Sequence, residues 1–249
     1  MLPSLNWSSV TVLLVRENRE YLLNPGDTLE TDLGILELPE DISPGDTVET
    51  HLGKEFIAQQ LRGPDLFEHF ERTGAPMIPR DIGLILGETG VSTGDRVLDA
   101  GTGTGVLAAY CARSGAYVTT YEIDQEFADV ARENMELGGV SDRVDVRTGD
   151  IVDAVSAITD QYDVLTLDTA DAPEVIKHAP DVVAEGGAIA VYTPFVEDAR
   201  NVAETANDVG LRNIETVETI QREMDFDDRG SRPSTRGVGH TGYITFARH

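Results

Sequence analysis

The sequence predicts an α/β fold: a parallel sheet covered by helices and preceded by a small β module. Three observations predict it. Short strand-like stretches separated by turn clusters fill residues 9 to about 58. From Pro79 onward, apolar β-type runs alternate with helical stretches of about 10 to 15 residues, the pattern of strands joined by crossover helices. One of those runs empties into three alternating glycines, Gly101, Gly103 and Gly105, and then into a helix. At 249 residues the chain has room for one large domain, or an ordinary domain with an appendage, and for a real core.

In order from the N-terminus, Ser9–Arg16 (SVTVLLVR) and Glu20–Leu23 are rich in Val, Leu and Tyr, and Asn24-Pro25-Gly26-Asp27 turns the chain. Gly34–Leu38 follows, then a second turn at Ser43-Pro44-Gly45-Asp46 and a strand-like stretch to Ile57. Strands this short suggest a small barrel or curled sheet. The expected units are a β domain over 1–60, a linker over 61–78 and an α/β domain over 79–249. In the last, strands are expected at Arg96-Val97-Leu98-Asp99, Tyr117–Tyr121, Val144–Val146, Tyr162–Leu167, a fifth that is followed by Val191-Tyr192-Thr193-Pro194, and Tyr243–Ala247. Asp225–Gly239 (DFDDRGSRPSTRGVG) is polar and rich in Gly and Arg, and is expected as an exposed loop.

Composition narrows the partners. The 45 acidic residues against 19 Lys and Arg leave a net charge of −26, beyond what solubility at ordinary ionic strength requires. Lys54 and Lys177 are the only lysines. This style resembles proteins that work in multimolar salt, where the screening length falls to about 3 Å and self-repulsion becomes harmless. Net charge then neither supports nor forbids a polyanion, and clustered arginines must make that case. No apolar run approaches ~18 residues, and MLPSLNWSSV has no basic flank before an apolar stretch. Neither a membrane span nor a secretion signal is expected, which implies a cytoplasmic protein. Cys111, the single cysteine, is expected in the core, with no disulfide and no metal site.

The segment Asp99-Ala100-Gly101-Thr102-Gly103-Thr104-Gly105-Val106 carries the chemistry. Its glycines let the backbone pass close under a ligand and present amides at a helix N-terminus, which suits a nucleotide-like cofactor. A dinucleotide fingerprint places its third glycine three residues after the second; here Gly105 follows Gly103 by two. Asp99 would repel a pyrophosphate and suits a cationic amino acid end, as in S-adenosyl-L-methionine. Glu122, with Ile123 beside it, ends the next strand where a carboxylate can accept ribose hydroxyls. Asp150 is placed for an adenine amino group or for a helix cap, and Asp124 reads as a cap. Asp168 ends the fourth strand, and Tyr192 is either pocket wall or core.

On these residues the chain resembles class I S-adenosylmethionine-dependent methyltransferases, which implies a Rossmann-like sheet over 79–249. A narrower resemblance reaches nearly the whole chain. Arg232-Pro233 with Gly239-His240-Thr241-Gly242-Tyr243-Ile244, and Glu218–Glu223 before it, are similar to the closing signature of the tRNA (adenine-N1)-methyltransferase family. Arg72-Thr73 and Pro79-Arg80-Asp81 are similar to that family's linker. The resemblance implies methylation of N1 of a T-loop adenine in tRNA, a homotetramer, Asp168 and Tyr192 at the reacting base, and tRNA contacts at Arg72, Arg80, Arg229, Arg232, Arg236 and His240. The sequence departs from the family after Asp168, where Thr169-Ala170-Asp171-Ala172-Pro173 lacks the usual Trp, and at Ile78, where an aromatic is usual. Two other readings stay open: the same fold with a protein acceptor of isoaspartyl type, and a non-catalytic RNA-binding paralogue.

Overall fold

The computed structural model describes residues 11–249. Ser9 and Val10 of the expected first strand, and the rest of the MLPSLNWSSV segment, lie outside the described residues. The N-terminal part holds β1 (Val12–Arg16), β2 (Arg19–Leu23), β3 (Thr28–Thr31), β4 (Gly34–Glu37), β5 (Thr47–Glu49) and β6 (Glu55–Gln60). Four of them form an antiparallel sheet in the order β2-β1-β6-β5, and β3-β4 is a separate hairpin. Alternation sets the inner face: in β6, Phe56 and Ala58 point inward while Glu55 and Ile57 do not. Phe56, Leu14, Leu36 and Leu38 share one core that joins hairpin to sheet.

Helix α1 (Gly63–His69) leads through residues 70–78 to α2 (Pro79–Thr89), which opens with proline at its first position and closes on left-handed Gly90. The remaining elements are β7 (Arg96–Ala100), α3 (Val106–Arg113), β8 (Tyr117–Glu122), α4 (Gln125–Leu137), β9 (Val144–Thr148), α5 (Ile151–Val155), β10 (Tyr162–Leu167), α6 (Ala172–Ile176), α7 (Ala179–Val182), β11 (Val183–Thr193), α8 (Val196–Asp208), β12 (Arg212–Glu218), β13 (Met224–Asp227), β14 (Gly230–Pro233) and β15 (Tyr243–Arg248).

Seven strands form the main sheet in the order β12-β15-β11-β10-β7-β8-β9. β7 to β11 run parallel, and β15 is antiparallel to both of its neighbours. The central strands β7 and β10 are almost wholly buried, as a sheet covered on both faces requires. One apolar layer under α2, α3 and α4 covers one face, and a second under α6 and α8 covers the other. From β7 the chain steps outward to β8 and β9, then returns to β10 on the opposite side. The loops after β7 and β10 therefore part, and a crevice opens between them. Among the described residues, no helix is long and apolar enough to cross a membrane, and no group of His, Cys, Asp and Glu could hold a metal.

The segment expected as a loop over Asp225–Gly239 is instead largely a hairpin, β13 paired with β14 from Met224↔Pro233 to Asp227↔Gly230. Met224 and Phe226 alternate with Asp225 and Asp227, a strand period, while Gly230–Pro233 carries no apolar residue to signal it.

Candidate active site

The turn after β7 is built from what cannot fit there. Gly101 has φ +84°, and a Cβ on it would lie 2.0 Å from the Asp168 carbonyl oxygen. Asp168 N donates to Ala100 O at 2.9 Å, so the ends of β7 and β10 are pressed together with no room for a side chain. Gly105 has φ +82° and caps α3; a Cβ there would meet Met135 Cε of α4 at 2.6 Å. Gly103 also has positive φ, +51°, but a Cβ there would meet nothing nearer than 3.9 Å. Its amide donates to Glu122 Oε2 at 2.8 Å.

Asp99 lies buried under this turn. Thr120 Oγ1 and Thr166 Oγ1 each donate to it at 2.5 Å, one to each carboxyl oxygen, and Thr102 Oγ1 stands 2.5 Å from Thr120 Oγ1. Burial raises the Asp99 pKa, and the two hydroxyls pull it back in part. Asp168 is partly exposed, and no described residue hydrogen-bonds its carboxyl group. Burial, with the Asp99 charge second, pushes its pKa up to about 7. It is the carboxyl group left open to an incoming donor.

Asp99 and Asp168 line a cavity of about 120 Å³ whose far wall is the linker, Thr73 to Met77. Asp168, Gly101, Gly103 and Phe127 also line a second cavity of about 290 Å³, with Glu122, Ile123, Asp150 and Asp171. The shared residues make the two cavities one cleft. Thr102, Thr104 and Val106 line its first part, at the N-terminus of α3. Glu122 Oε1 accepts from Asp124 N at 3.1 Å, and Ile123 stands 70 % exposed at the mouth. Asp124 caps α4, accepting from Glu126 N and Phe127 N. Asp150 caps α5 through Val152 N and also lines the cleft.

Residues not singled out in the sequence complete the cleft. Asn134, buried on α4, donates through Nδ2 to Glu71 O and Thr104 O at 2.9 Å, and its Oδ1 accepts from Glu71 N at 3.0 Å. It clasps the linker to the glycine turn. The signal was a polar residue within the buried stripe Ala128, Ala131, Met135 of an amphipathic helix. Thr120 and Thr166 carried a similar signal, as hydroxyls buried in otherwise apolar strands.

Tyr192 ends β11. Leu167 pairs with Val191, which sets Asp168 and Tyr192 side by side. The Tyr192 hydroxyl donates to Thr241 O at 2.6 Å, and its ring lies on Gly242, where a Cβ would be 2.6 Å from Cζ. Burial, followed by the charge of Asp168, raises its pKa.

The arginines expected at RNA divide. Arg229, 84 % exposed, and Arg236 sit on or beside the hairpin, paired to Asp227 at 3.3 Å and Asp225 at 3.4 Å, and Arg232 is exposed on β14. Arg72 is exposed and stacks 5.0 Å from the Phe67 ring centroid. Arg80 is different: expected as a handle, it points inward, with donors committed to Asp81, Thr241 and the Val238 carbonyl. The Pro79 start of α2 turns it into the protein. His240 Nδ1 lies 2.7 Å from Glu218 Oε1 and Nε2 3.2 Å from Pro194 O; both acceptors raise its pKa, Glu218 foremost.

Comparison with known proteins agrees with this geometry. Residues 71–231 match the family described as tRNA methyltransferase complex GCD14 subunit. The tRNA (adenine(57)-N(1)/adenine(58)-N(1))-methyltransferase TrmI of Methanocaldococcus jannaschii is 32% identical over 95% of this chain and 94% of its own. Among solved structures, a SAM-dependent O-methyltransferase from Thermotoga maritima superposes with TM-score 0.79 at 28% identity, covering 97% of this chain and 93% of that one. The tRNA (m1A58) methyltransferase TrmI of Aquifex aeolicus, at 22% identity, shares the fold with TM-score 0.74 over 96% of both chains. With the family match over most of its length and a relative aligned nearly end to end, the chain belongs to the GCD14 family of tRNA methyltransferase subunits.

Proposed function

We propose that this chain transfers a methyl group from S-adenosyl-L-methionine to N1 of a T-loop adenine in tRNA, position 57 or 58 as in its archaeal relative. The observation that carries the reading is the junction of β7 and β10: a buried Asp99 beneath a turn of three glycines, and an unbonded Asp168 carboxyl group facing the same cleft. Membership of the family supplies the acceptor.

The residues present fit the cofactor. Asp99 suits the ammonium of its amino acid end, and the amides from Thr102 to Val106 at the start of α3 suit the carboxylate. Glu122 takes the ribose hydroxyls, Ile123 covers the adenine, and Asp150 faces the adenine amino group. When bound, S-adenosylmethionine supplies a methyl group on a sulfonium, ready for displacement by a neutral nitrogen. The N1 lone pair of adenine is free at neutral pH once the base is unpaired, so no proton has to be removed. The base must be turned out of its stack, and Tyr192 provides wall for it. Asp168 accepts a hydrogen bond from the exocyclic amino group, and its charge stabilises the positive charge that methylation leaves on the ring. Arg72, Arg229, Arg232 and Arg236 offer guanidinium forks to phosphate, with His240 beside Tyr243 at the root of β15.

The chain is further proposed to work as a homotetramer in a cytoplasm of high salt. Exposed Phe195, Ile220 and Phe226 support self-association, and the net charge of −26 supports the salt. Sedimentation in multimolar KCl reads the assembly directly.

The test of the reaction is mass spectrometry of nucleosides after unmodified tRNA is incubated with the protein and cofactor in multimolar KCl. The expected product is 1-methyladenosine. Asp168→Ala should leave S-adenosylhomocysteine affinity nearly unchanged and lower turnover by about two orders of magnitude. A protein that binds S-adenosylhomocysteine and methylates no tRNA rejects the reading in favour of a non-catalytic or protein-directed paralogue.

A further inference from the structure

Arg80 and Asp81 are consecutive residues of the first turn of α2, with side chains only 8 % and 3 % exposed. Arg80 Nε donates to Asp81 Oδ1 at 3.2 Å and Nη2 donates to Thr241 Oγ1 at 2.8 Å. The Thr241 hydroxyl in turn donates to Asp81 Oδ2 at 2.7 Å, which closes a ring of three side chains. Two contacts leave the ring. Arg80 Nη1 donates to Val238 O at 3.2 Å, at the foot of the arginine hairpin, and Thr241 O accepts from the Tyr192 hydroxyl at 2.6 Å.

A buried ion pair adds little net stability over an apolar filling of the same shape; what it fixes is geometry. Here it fixes the main chain at Thr241. The next residue, Gly242, is the floor on which the Tyr192 ring rests, and Tyr192 stands beside Asp168 at the strand ends. We infer that Arg80, Asp81 and Thr241 are positioning residues for the acceptor pocket: they set Tyr192 against Asp168 and tie that wall to the hairpin that presents Arg229, Arg232 and Arg236. The inference rests on the adenine-methylating reading above and adds to it the residues that hold its acceptor side. It also separates Arg80 from the phosphate handles.

The experiment compares Thr241→Val, Thr241→Ser and Arg80→Met with wild type by kcat and KM for tRNA, S-adenosylhomocysteine affinity, and the 19F spectrum of protein carrying fluorotyrosine, with the Tyr192 line assigned by Tyr192→Phe. Thr241→Val and Arg80→Met should lower kcat about tenfold or more and move the Tyr192 line, with S-adenosylhomocysteine affinity held within about twofold. Thr241→Ser, which keeps the hydroxyl, should restore both the rate and the line. A raised KM for tRNA with a weaker salt dependence and an unchanged kcat in Arg80→Met makes Arg80 a phosphate contact and overturns the inference. A Tyr192 line that stays in place in all three variants overturns it whatever the activity. If the line moves as expected but wild type methylates no tRNA, the positioning unit stands and the substrate reading falls.

Discussion

Asp168→Asn should make the protein more stable above neutral pH while making it a poor catalyst. In the fold, burial and the nearby Asp99 charge lift the Asp168 pKa from 3.8 to about 7. Between those values the unfolded chain has released its proton and the native chain has kept it, so stability falls as pH rises through this window and levels off above it. About three pH units at about 1.4 kcal/mol each give an upper figure near 4 kcal/mol. Water in the open cleft screens part of this, leaving about 2–4 kcal/mol. Asparagine has no charge to desolvate. Urea unfolding of both proteins from about pH 4 to 9, at fixed KCl and fixed protein concentration, gives a stability difference in which the other titrating groups largely cancel. That difference should climb in favour of the variant from the acid end of the range toward pH 7, and then hold; relief of Asp99 is included in it. A difference independent of pH refutes the claim that Asp168 is held protonated by its surroundings. Turnover of the same variant should fall about a hundredfold, placing function and stability in opposition at one atom.

Five further outcomes follow from the same geometry. Because Asp168 must be anionic to stabilise the methylated ring, kcat/KM should rise with pH and level off above about 7; a flat profile from about pH 5 to 9 contradicts that role. Gly101→Ala, with its Cβ 2.0 Å from a carbonyl oxygen, should abolish folding or cofactor binding. Gly103→Ala should cost only about 1–2 kcal/mol of backbone strain in a melt, yet lose S-adenosylhomocysteine affinity by filling the cleft. Asn134→Leu removes three hydrogen bonds worth about 1 kcal/mol each, and should expose residues 71–77 to proteolysis and weaken cofactor binding at least tenfold by calorimetry. Glu218→Gln should bring the His240 pKa down toward its ordinary 6.5, as followed by NMR of the ring.

Local patterns announced much of this molecule and long-range ones very little. The strands from β7 to β11 and β15 were legible because each is an apolar run or a short stretch of β-type residues, and the glycine turn because its spacing excludes a pyrophosphate. Asp124 was readable as a cap since capping is a property of neighbouring residues. The linker wall was not readable: Thr73 to Met77 lie over the cleft through contacts distant in the chain, among them Asn134, 63 positions from Glu71, and Thr104 at Thr73. Arg80 misled for the same reason. An arginine beside an aspartate looks like a surface pair until Thr241, 161 positions from it in the chain, is folded against both. The hairpin of β13 and β14 escaped because only one of its strands has an apolar face.

Arg229 and Arg236 each hold an aspartate of their own hairpin. At an ordinary basic surface each guanidinium that meets a phosphate frees cations condensed on the nucleic acid, which makes affinity collapse as salt is added. Here the neutralising groups are covalently tethered. A phosphate that took the place of Asp227 or Asp225 would free a cation while the displaced carboxylate took one up, so that exchange would depend less on salt concentration. On the proposed reading, a surface wired in this way would trade strength in dilute buffer for a hold on phosphate that weakens less as salt is added.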